Sequence, residues 1–226
     1  MCGRYALKSD PQAIAAQFDV AVILPELDSV RPNFNTAPTH AIPVILNRDD
    51  VVTMGTMTWG LIPSWAKDPA MGSRMINARV ETITEKPAFR SAIHKRRCII
   101  PADGWYEWQT TGSQKVPHYF SATDQSIIGF AGIYERWSAP DGLAVWSTSI
   151  ITTQAQAHIS QVHERMPLLI SRDVRQLWLA DGPAPLDQVR QASTSACEIA
   201  CWTVDAAVGN VRNNNAELIT PIEHLR

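Results

Sequence analysis

The sequence predicts an α+β fold in a single domain over residues 1–226. The sheet is expected to be mostly antiparallel, curled or barrel-like, with short helices flanking it. Three observations predict it. Runs of β-branched and aromatic residues recur through the middle of the chain. Tetrads of turn-forming residues separate them. Helical spacing is confined to short stretches near the start, near residue 90 and after residue 153. The chain of 226 residues is 45% apolar and 19% charged, with a net charge of −2. That supports a sizeable core and is too apolar and too weakly charged for a disordered chain.

Each element follows from its own residues. Ser9-Asp10 before Pro11 caps a helix over residues 11–18, with proline at its first position. Residues 41–46, the turn Asn47-Arg48-Asp49-Asp50 and residues 51–59 form a hairpin pattern. Phe89 and Ile93, four apart, mark a helix over 86–95. Runs at 97–101, 104–109, 116–122, 127–137 and 143–152 read as successive strands of a meander. Helices follow at 154–162 and at 171–180, the second capped by Ser171 and presenting Val174, Leu177 and Trp178 on one face. Another helix at 186–192, a strand at 199–204 and a turn-prone tail at 209–217 complete the reading.

Composition excludes several classes. No apolar run reaches the roughly 18 residues of a membrane span. The first ten residues hold no hydrophobic signal region, so a cytoplasmic protein is expected. Cysteines at 2, 98, 197 and 201 do not form a disulfide framework, and none completes a tetrahedral metal set, so no metal is expected. Cys98 is expected to be a buried small hydrophobe. The net charge argues against a general nucleic-acid coat. A local run, Arg74 to Arg97, holds seven basic and two acidic residues; a solvated face is the plain reading.

Cys2 carries the most distinctive chemistry. Initiator methionine is normally removed before a small residue, which would leave Cys2 with a free α-amine beside a thiol. The amine, with a pKa near 7.7–8.0, is partly neutral at physiological pH. The thiol, at about 8.5, supplies a few per cent of thiolate without activation. This pair condenses with an aldehyde to an imine and then closes a five-membered thiazolidine, at high effective molarity because the groups are covalently fixed. A frayed terminus would make the same cysteine idle. Gly3, Arg4 and the strand-like Tyr5-Ala6-Leu7 favour a tethered one.

Several polar residues stand inside apolar runs. Asn77 either caps a turn or offers its amide to an oxyanion or to the Cys2 terminus. Arg79 and Glu81 share its face if the segment is extended. Glu107 lies between aromatic residues, and alternation places it with Trp105 and Gln109; burial would raise its pKa into a range useful for proton transfer. The alternative is an edge-strand glutamate paired with an arginine. His163 follows a helical stretch and precedes a strand, and Arg165 beside it would clamp a phosphate or carboxylate. Trp65 follows a proline turn near basic residues and can stack a base. Core packing is expected for Trp59, Trp146 and Trp178.

Seven segments, taken in order, resemble the SOS response-associated peptidase (SRAP) family of abasic-site processing proteins. They are residues 1–5, 35–39, 59–65, 76–82, 101–108, 163–167 and 208–213 with 217–219. The resemblance implies an SRAP-like domain that binds abasic sites in single-stranded DNA and at junctions of single and double strands. It implies a thiazolidine crosslink from Cys2 to the ring-opened sugar, reversal of that crosslink and self-removal of Met1. Asn77 would position the terminus, and Glu107 and His163 would handle protons. Arg4, Asn35, Arg79 and Arg165 would meet DNA, with Trp65 as the stacking residue. Some members carry two adjacent tryptophans there. Here Ala66 follows Trp65, so stacking at the lesion is expected either to be weaker or to be supplied by another side chain such as Ile62 or Leu61. No organic cofactor is expected, the oligomeric state is expected to be monomeric, and nucleoid association is expected on DNA. Two other functions fit parts of the sequence. An N-terminal-nucleophile amidohydrolase would also use Cys2. A non-catalytic single-strand binding module would need only Trp65 and the basic run.

Overall fold

A computed structural model describes residues 2–222. The strands are β1 (Tyr5–Leu7), β2 (Val22–Ile23), β3 (Asn33–Thr36), β4 (Ala41–Arg48), β5 (Val51–Trp59), β6 (Asn77–Arg79), β7 (Arg97–Ala102), β8 (Gly104–Thr111), β9 (Gln114–Ala122), β10 (Ile128–Ser138), β11 (Ala144–Gln154), β12 (Arg165–Pro167) and β13 (Ile199–Thr203). The helices are short: α1 (Pro11–Phe18), α2 (Ala92–Lys95), α3 (Ala157–Ser160), α4 (Arg175–Leu179) and α5 (Leu186–Ser193).

Two sheets form. One is antiparallel, in the order β13-β9-β8-β1-β3. The other runs β12-β11-β10-β7-β4-β5-β2, and β11 returns to β5, which closes β5, β4, β7, β10 and β11 into a five-stranded barrel. The expected meander supplies the antiparallel ladders. The closure does not come from it: β11 pairs with β5 in parallel, as β6 does with β11 and β2 with β5.

The hairpin at the start of the barrel is as predicted. Asp49 and Asp50 both take positive φ, 51° and 63°, the conformation a two-residue turn needs to match strand twist. Aromatic rings fill the layer between the sheets. Trp105 stacks on Phe120 at 5.0 Å and meets Phe130 edge-on, and Tyr5 meets both Trp59 and Phe130 edge-on. The opposite face of the five-stranded sheet covers a smaller cluster of Ala6, Tyr106, Tyr119, Val204, Val208 and Leu218. β1 is therefore buried on both faces.

The helices are where the sequence reading overreached. α1 stands as predicted, with Asp10 accepting from the Ala13 N–H at 2.8 Å. Residues 80–91 are turns, and only Ala92–Lys95 is helical. Pro87 lacks an N–H and its ring opposes the carbonyl four residues back, so the helix cannot propagate through it. Gln154 continues β11 and pairs with Arg165, so the next helix shrinks to α3. Ser171 makes no side-chain cap bond. A 3-10 turn, Arg172–Val174, precedes α4. Its three residues per turn shift the phase of the apolar face, and Leu177 ends up exposed while Trp178 is buried. Trp59 is core as expected; Trp146 is exposed on β11.

Most of the basic run is solvated, as its plain reading expects: Arg74, Arg79, Lys86, Arg90 and Lys95 are exposed, and its last two residues are the exceptions. Arg97 is buried and donates to the carbonyls of Trp178, Ile93, His94, Gly182 and Ala180. Arg96 pairs with Glu135 at 2.7 Å.

Candidate active site

The N-terminal segment is tied down from Cys2 onward. Asn77 donates from Nδ2 to the carbonyl of Cys2 at 2.8 Å. The Tyr106 N–H donates to the carbonyl of Arg4 at 3.0 Å, and the Asp103 N–H to that of Ala6 at 2.8 Å. The Asp103 carboxylate then accepts from the Lys8 and Ser9 amides and from the Ser9 hydroxyl. A β-carbon on Gly104 would lie 2.2 Å from the Phe120 carbonyl. Only glycine allows β8 and β9 to approach there, under the β1 strand that leads out from Cys2. Met1, whose removal the sequence predicts, lies outside the described residues.

Asn77, Glu107 and His163 meet at this segment from three directions. β6 is extended, as the alternation of Asn77 and Arg79 requires, and lies parallel on β11 with Asn77 opposite Ile150. The Asn77 Oδ1 is buried with no hydrogen-bond donor among the described residues. β8 is a central strand, between β9 and β1, so Glu107 is not the edge-strand glutamate of the alternative reading. Only 2% of Glu107 is exposed, and burial pushes its carboxyl up to about 7. His163 sits in the turn between α3 and β12, and its Nε2 stands 4.0 Å from Glu107 Oε2. Burial is the main cause that lowers its pKa.

The ring of His163 is oriented by the backbone of one residue, Arg165. The Arg165 N–H donates to Nδ1 at 3.0 Å, and the Arg165 carbonyl lies 3.2 Å from the same atom. A backbone N–H can only donate, so its contact makes Nδ1 an acceptor and puts the proton of the neutral ring on Nε2, facing Glu107. When the ring charges, an Nδ1 proton finds the carbonyl. One backbone unit thus satisfies both protonation states, which suits a group that takes and returns a proton.

One expectation about Cys2 is corrected. Its side chain is fully buried, and burial, with the Glu107 charge second, raises the thiol pKa well above its ordinary value. Sγ has the Arg4 carbonyl as a distant hydrogen-bond partner, at 4.0 Å. The sulfur is held as a neutral thiol and not as a ready thiolate, so any step at sulfur needs a base.

Residues expected to meet DNA divide into two groups. Trp65 is 57% exposed, and Arg79 is exposed at the end of β6. The loop under Trp65 is anchored: the Ile62 N–H donates to Ser147 Oγ at 2.8 Å, and Trp137 Nε1 donates to the Ala66 carbonyl at 2.7 Å. Gly60, at φ 129°, faces Gly72 so closely that a β-carbon on it would lie 2.7 Å from the Gly72 carbonyl. Leu61 and Ile62 are buried, in the main core and against Trp137, and neither can supplement Trp65.

Asn35, Arg4 and Arg165 have protein partners instead. Asn35 is buried; its amide serves the carbonyls of Val208, Asn210 and Asn213, and its Oδ1 accepts from Arg4 at 2.7 Å. Arg4, half-buried, also donates to Val208 at 2.8 Å and Gly209 at 3.3 Å. Arg165 is buried and forms a two-pronged pair with Glu81, at 2.8 and 2.9 Å. A guanidinium so matched is not an open phosphate clamp. Asp103 and Ser147, which hold the frame, were not singled out by the sequence. An acidic residue just before Gly104-Trp105 and a serine inside a strand run were the signals present.

Among the described residues no cluster of three or more metal-ligating side chains occurs, and no helix is long and apolar enough to cross a membrane. The sequence profile of the family described as SOS response associated peptidase (SRAP) matches residues 1–211. The chain belongs to the SRAP family. It is 38% identical to the abasic site processing protein YoaM of Bacillus subtilis, over the whole of both chains. It is 36% identical to the abasic site processing protein YoqW of the same organism, over 97% of this chain and 99% of that one. A crystal structure of a protein from Bacteroides thetaiotaomicron has the same fold, with a TM-score of 0.87 and 24% identity over 98% of this chain and all of that one.

Proposed function

We propose that this SRAP protein processes abasic sites in DNA by capturing the open sugar aldehyde on Cys2 after Met1 is removed. The observation that carries the reading is the bond from Asn77 to the Cys2 carbonyl. It fixes the start of the mature chain where a buried glutamate and a histidine face each other.

The steps balance without an oxidant or reductant. His163, as its imidazolium, passes a proton to the ring oxygen as the C1–oxygen bond of the hemiacetal breaks, and the C1 hydroxyl gives its proton back to the imidazole as the aldehyde forms. The Cys2 amine adds to the aldehyde carbon, and loss of one water gives the imine. The Asn77 Oδ1 accepts an N–H of that amine and aims its lone pair. Sulfur then adds to the imine carbon, its proton goes to Glu107, and the imine nitrogen regains a proton. A carboxyl at about 7 takes and returns a proton near neutrality, which also supports reversal. An amide hydrolase using the same cysteine is less well served, because it needs the buried thiol as the first nucleophile.

The DNA partner is single-stranded, or a single-to-double-strand junction, met by Trp65 through stacking and by Arg79 through phosphate. The working unit is a monomer in the cytoplasm, on the nucleoid when bound to DNA. Affinity falls with salt, by about 0.7 log unit per log unit of salt for each single-strand phosphate neutralised.

Intact mass spectrometry tests the reading. The protein beginning at Cys2, mixed with a single-stranded oligonucleotide bearing one abasic site, gains the mass of that strand less one water. Cys2→Ala loses the adduct and keeps non-covalent binding. An adduct of undiminished yield from Cys2→Ala, or from protein that retains Met1, overturns it.

A further inference from the structure

Arg165 touches the reaction in two ways that the family relationship does not join. Its backbone N–H orients His163, as described above. Its side chain reaches 84 residues back along the chain to Glu81. We propose that Glu81 is a positioning residue for His163, acting through the Arg165 fork to fix which ring nitrogen carries the proton. The inference rests on the proposed function and deepens the histidine's part in it.

Three observations carry it. The fork is matched, with Nη1 to Oε1 at 2.8 Å and Nη2 to Oε2 at 2.9 Å, so it fixes a plane and not merely a distance. The same Nη2 donates to the Thr152 carbonyl at 2.7 Å, and the Val80 N–H donates to that carbonyl at 3.0 Å. One carbonyl of β11 therefore ties the chain leaving β6 to the arginine of β12. β6 presents Asn77, and the turn into β12 presents His163. Arg165 is buried, whereas the Glu81 side chain is 40% exposed. The guanidinium is therefore held from its inner side by the Thr152 carbonyl and from its solvent side by the Glu81 fork. Without Glu81 the guanidinium keeps its bond to the Thr152 carbonyl and loses the plane of the fork, and the consequence expected of positioning is a displaced Arg165 N–H at Nδ1. The Arg165 pairing also lowers the Glu81 carboxyl below its ordinary range, which keeps it ionised.

A competing account is that Glu81 merely shields Arg165 from DNA phosphate. The two differ in what Glu81→Gln does. Positioning predicts that the His163 imidazole nitrogens, followed by nitrogen-15 NMR in the DNA-free protein, change from a dominant Nε2–H form to a mixture of tautomers. Shielding predicts unchanged nitrogens and tighter binding to single-stranded DNA carrying a tetrahydrofuran site, which cannot react. Positioning also predicts that crosslinking slows about tenfold with binding of that analogue changed by less than twofold. Arg165→Lys keeps the charge, loses the fork and should show the same tautomer mixture; it serves if Glu81→Gln misfolds. Unchanged imidazole nitrogens in a folded variant overturn the proposal. If wild-type protein forms no adduct, the proposed function fails, while the NMR result still decides the positioning.

Discussion

β4, β5, β7, β10 and β11 run for six to eleven residues each and hydrogen-bond around a closed circuit. β1, β6 and β12, which lie beside Cys2, Asn77 and His163, are three residues each. The long strands bury aliphatic and aromatic side chains against one another. The short ones cannot persist alone and keep their shape through Asn77 on Cys2, Asp103 on Lys8 and Ser9, and Glu81 on Arg165. The barrel thus holds folding energy, and the seam holds polar groups whose burial opposes it. The proposed site lies where stability is given up, at Glu107 above all.

Four variants break or sharpen that contrast. Phe130→Ala removes the ring that Tyr5 and Trp105 both meet edge-on, and urea unfolding should show a loss of about 3–5 kcal/mol. A loss under about 1 kcal/mol would dissolve the distinction.

Glu107→Gln should do the opposite. The folded carboxyl sits at about 7 against an unfolded value of 4.5. Between those values the unfolded chain releases a proton that the folded one keeps, so wild-type stability falls as pH rises from 4.5 through 7 and then levels off. Glutamine escapes that loss. The variant should be more stable by ~3 kcal/mol at pH 8 and equal to wild type at pH 4, by thermal or urea melts. The same variant should lose the limb of the crosslinking rate that rises through about pH 7, where the carboxylate becomes the base for sulfur.

Asn35→Ala leaves the Arg4 guanidinium and three carbonyls without their shared partner. A destabilisation of about 2 kcal/mol is expected, with faster amide exchange at residues 208–213 as the local readout. Trp65→Ala should shift stability by less than about 0.5 kcal/mol. It should weaken binding of single-stranded DNA by about 1–3 kcal/mol in fluorescence anisotropy. A stability loss as large as that of Phe130→Ala would make Trp65 a core residue and not a contact.

The sequence showed the long strands because alternation and turn chemistry are local signals. The Asn47–Asp50 turn and the run around Glu107 could be read residue by residue. It did not show the barrel closure, since nothing in β5 or β11 announces a parallel pairing between Thr58 and Ser147. Asn77, Glu107 and His163 were legible as candidates because polar residues inside apolar runs stand out, and Cys2 because it follows the initiator methionine. The partners of Arg165, Arg4 and Asn35 were not, because they lie 84, 204 and 173 residues away. An arginine in a motif looks alike whether it meets a phosphate or a carboxylate. The buried thiol was misread for a related reason: its expected acidity was that of a cysteine in water, and only packing reveals the desolvation.

The clasp of Arg4 and Asn35 on the carbonyls of Val208, Asn210 and Asn213 has a consequence for biosynthesis. Arg4 leaves the ribosome about two hundred residues ahead of the loop that holds it. Until that loop emerges, both latches on the N-terminal segment are unmade, so Arg4 and Asn35 can take their final places only once nearly the whole chain has been translated.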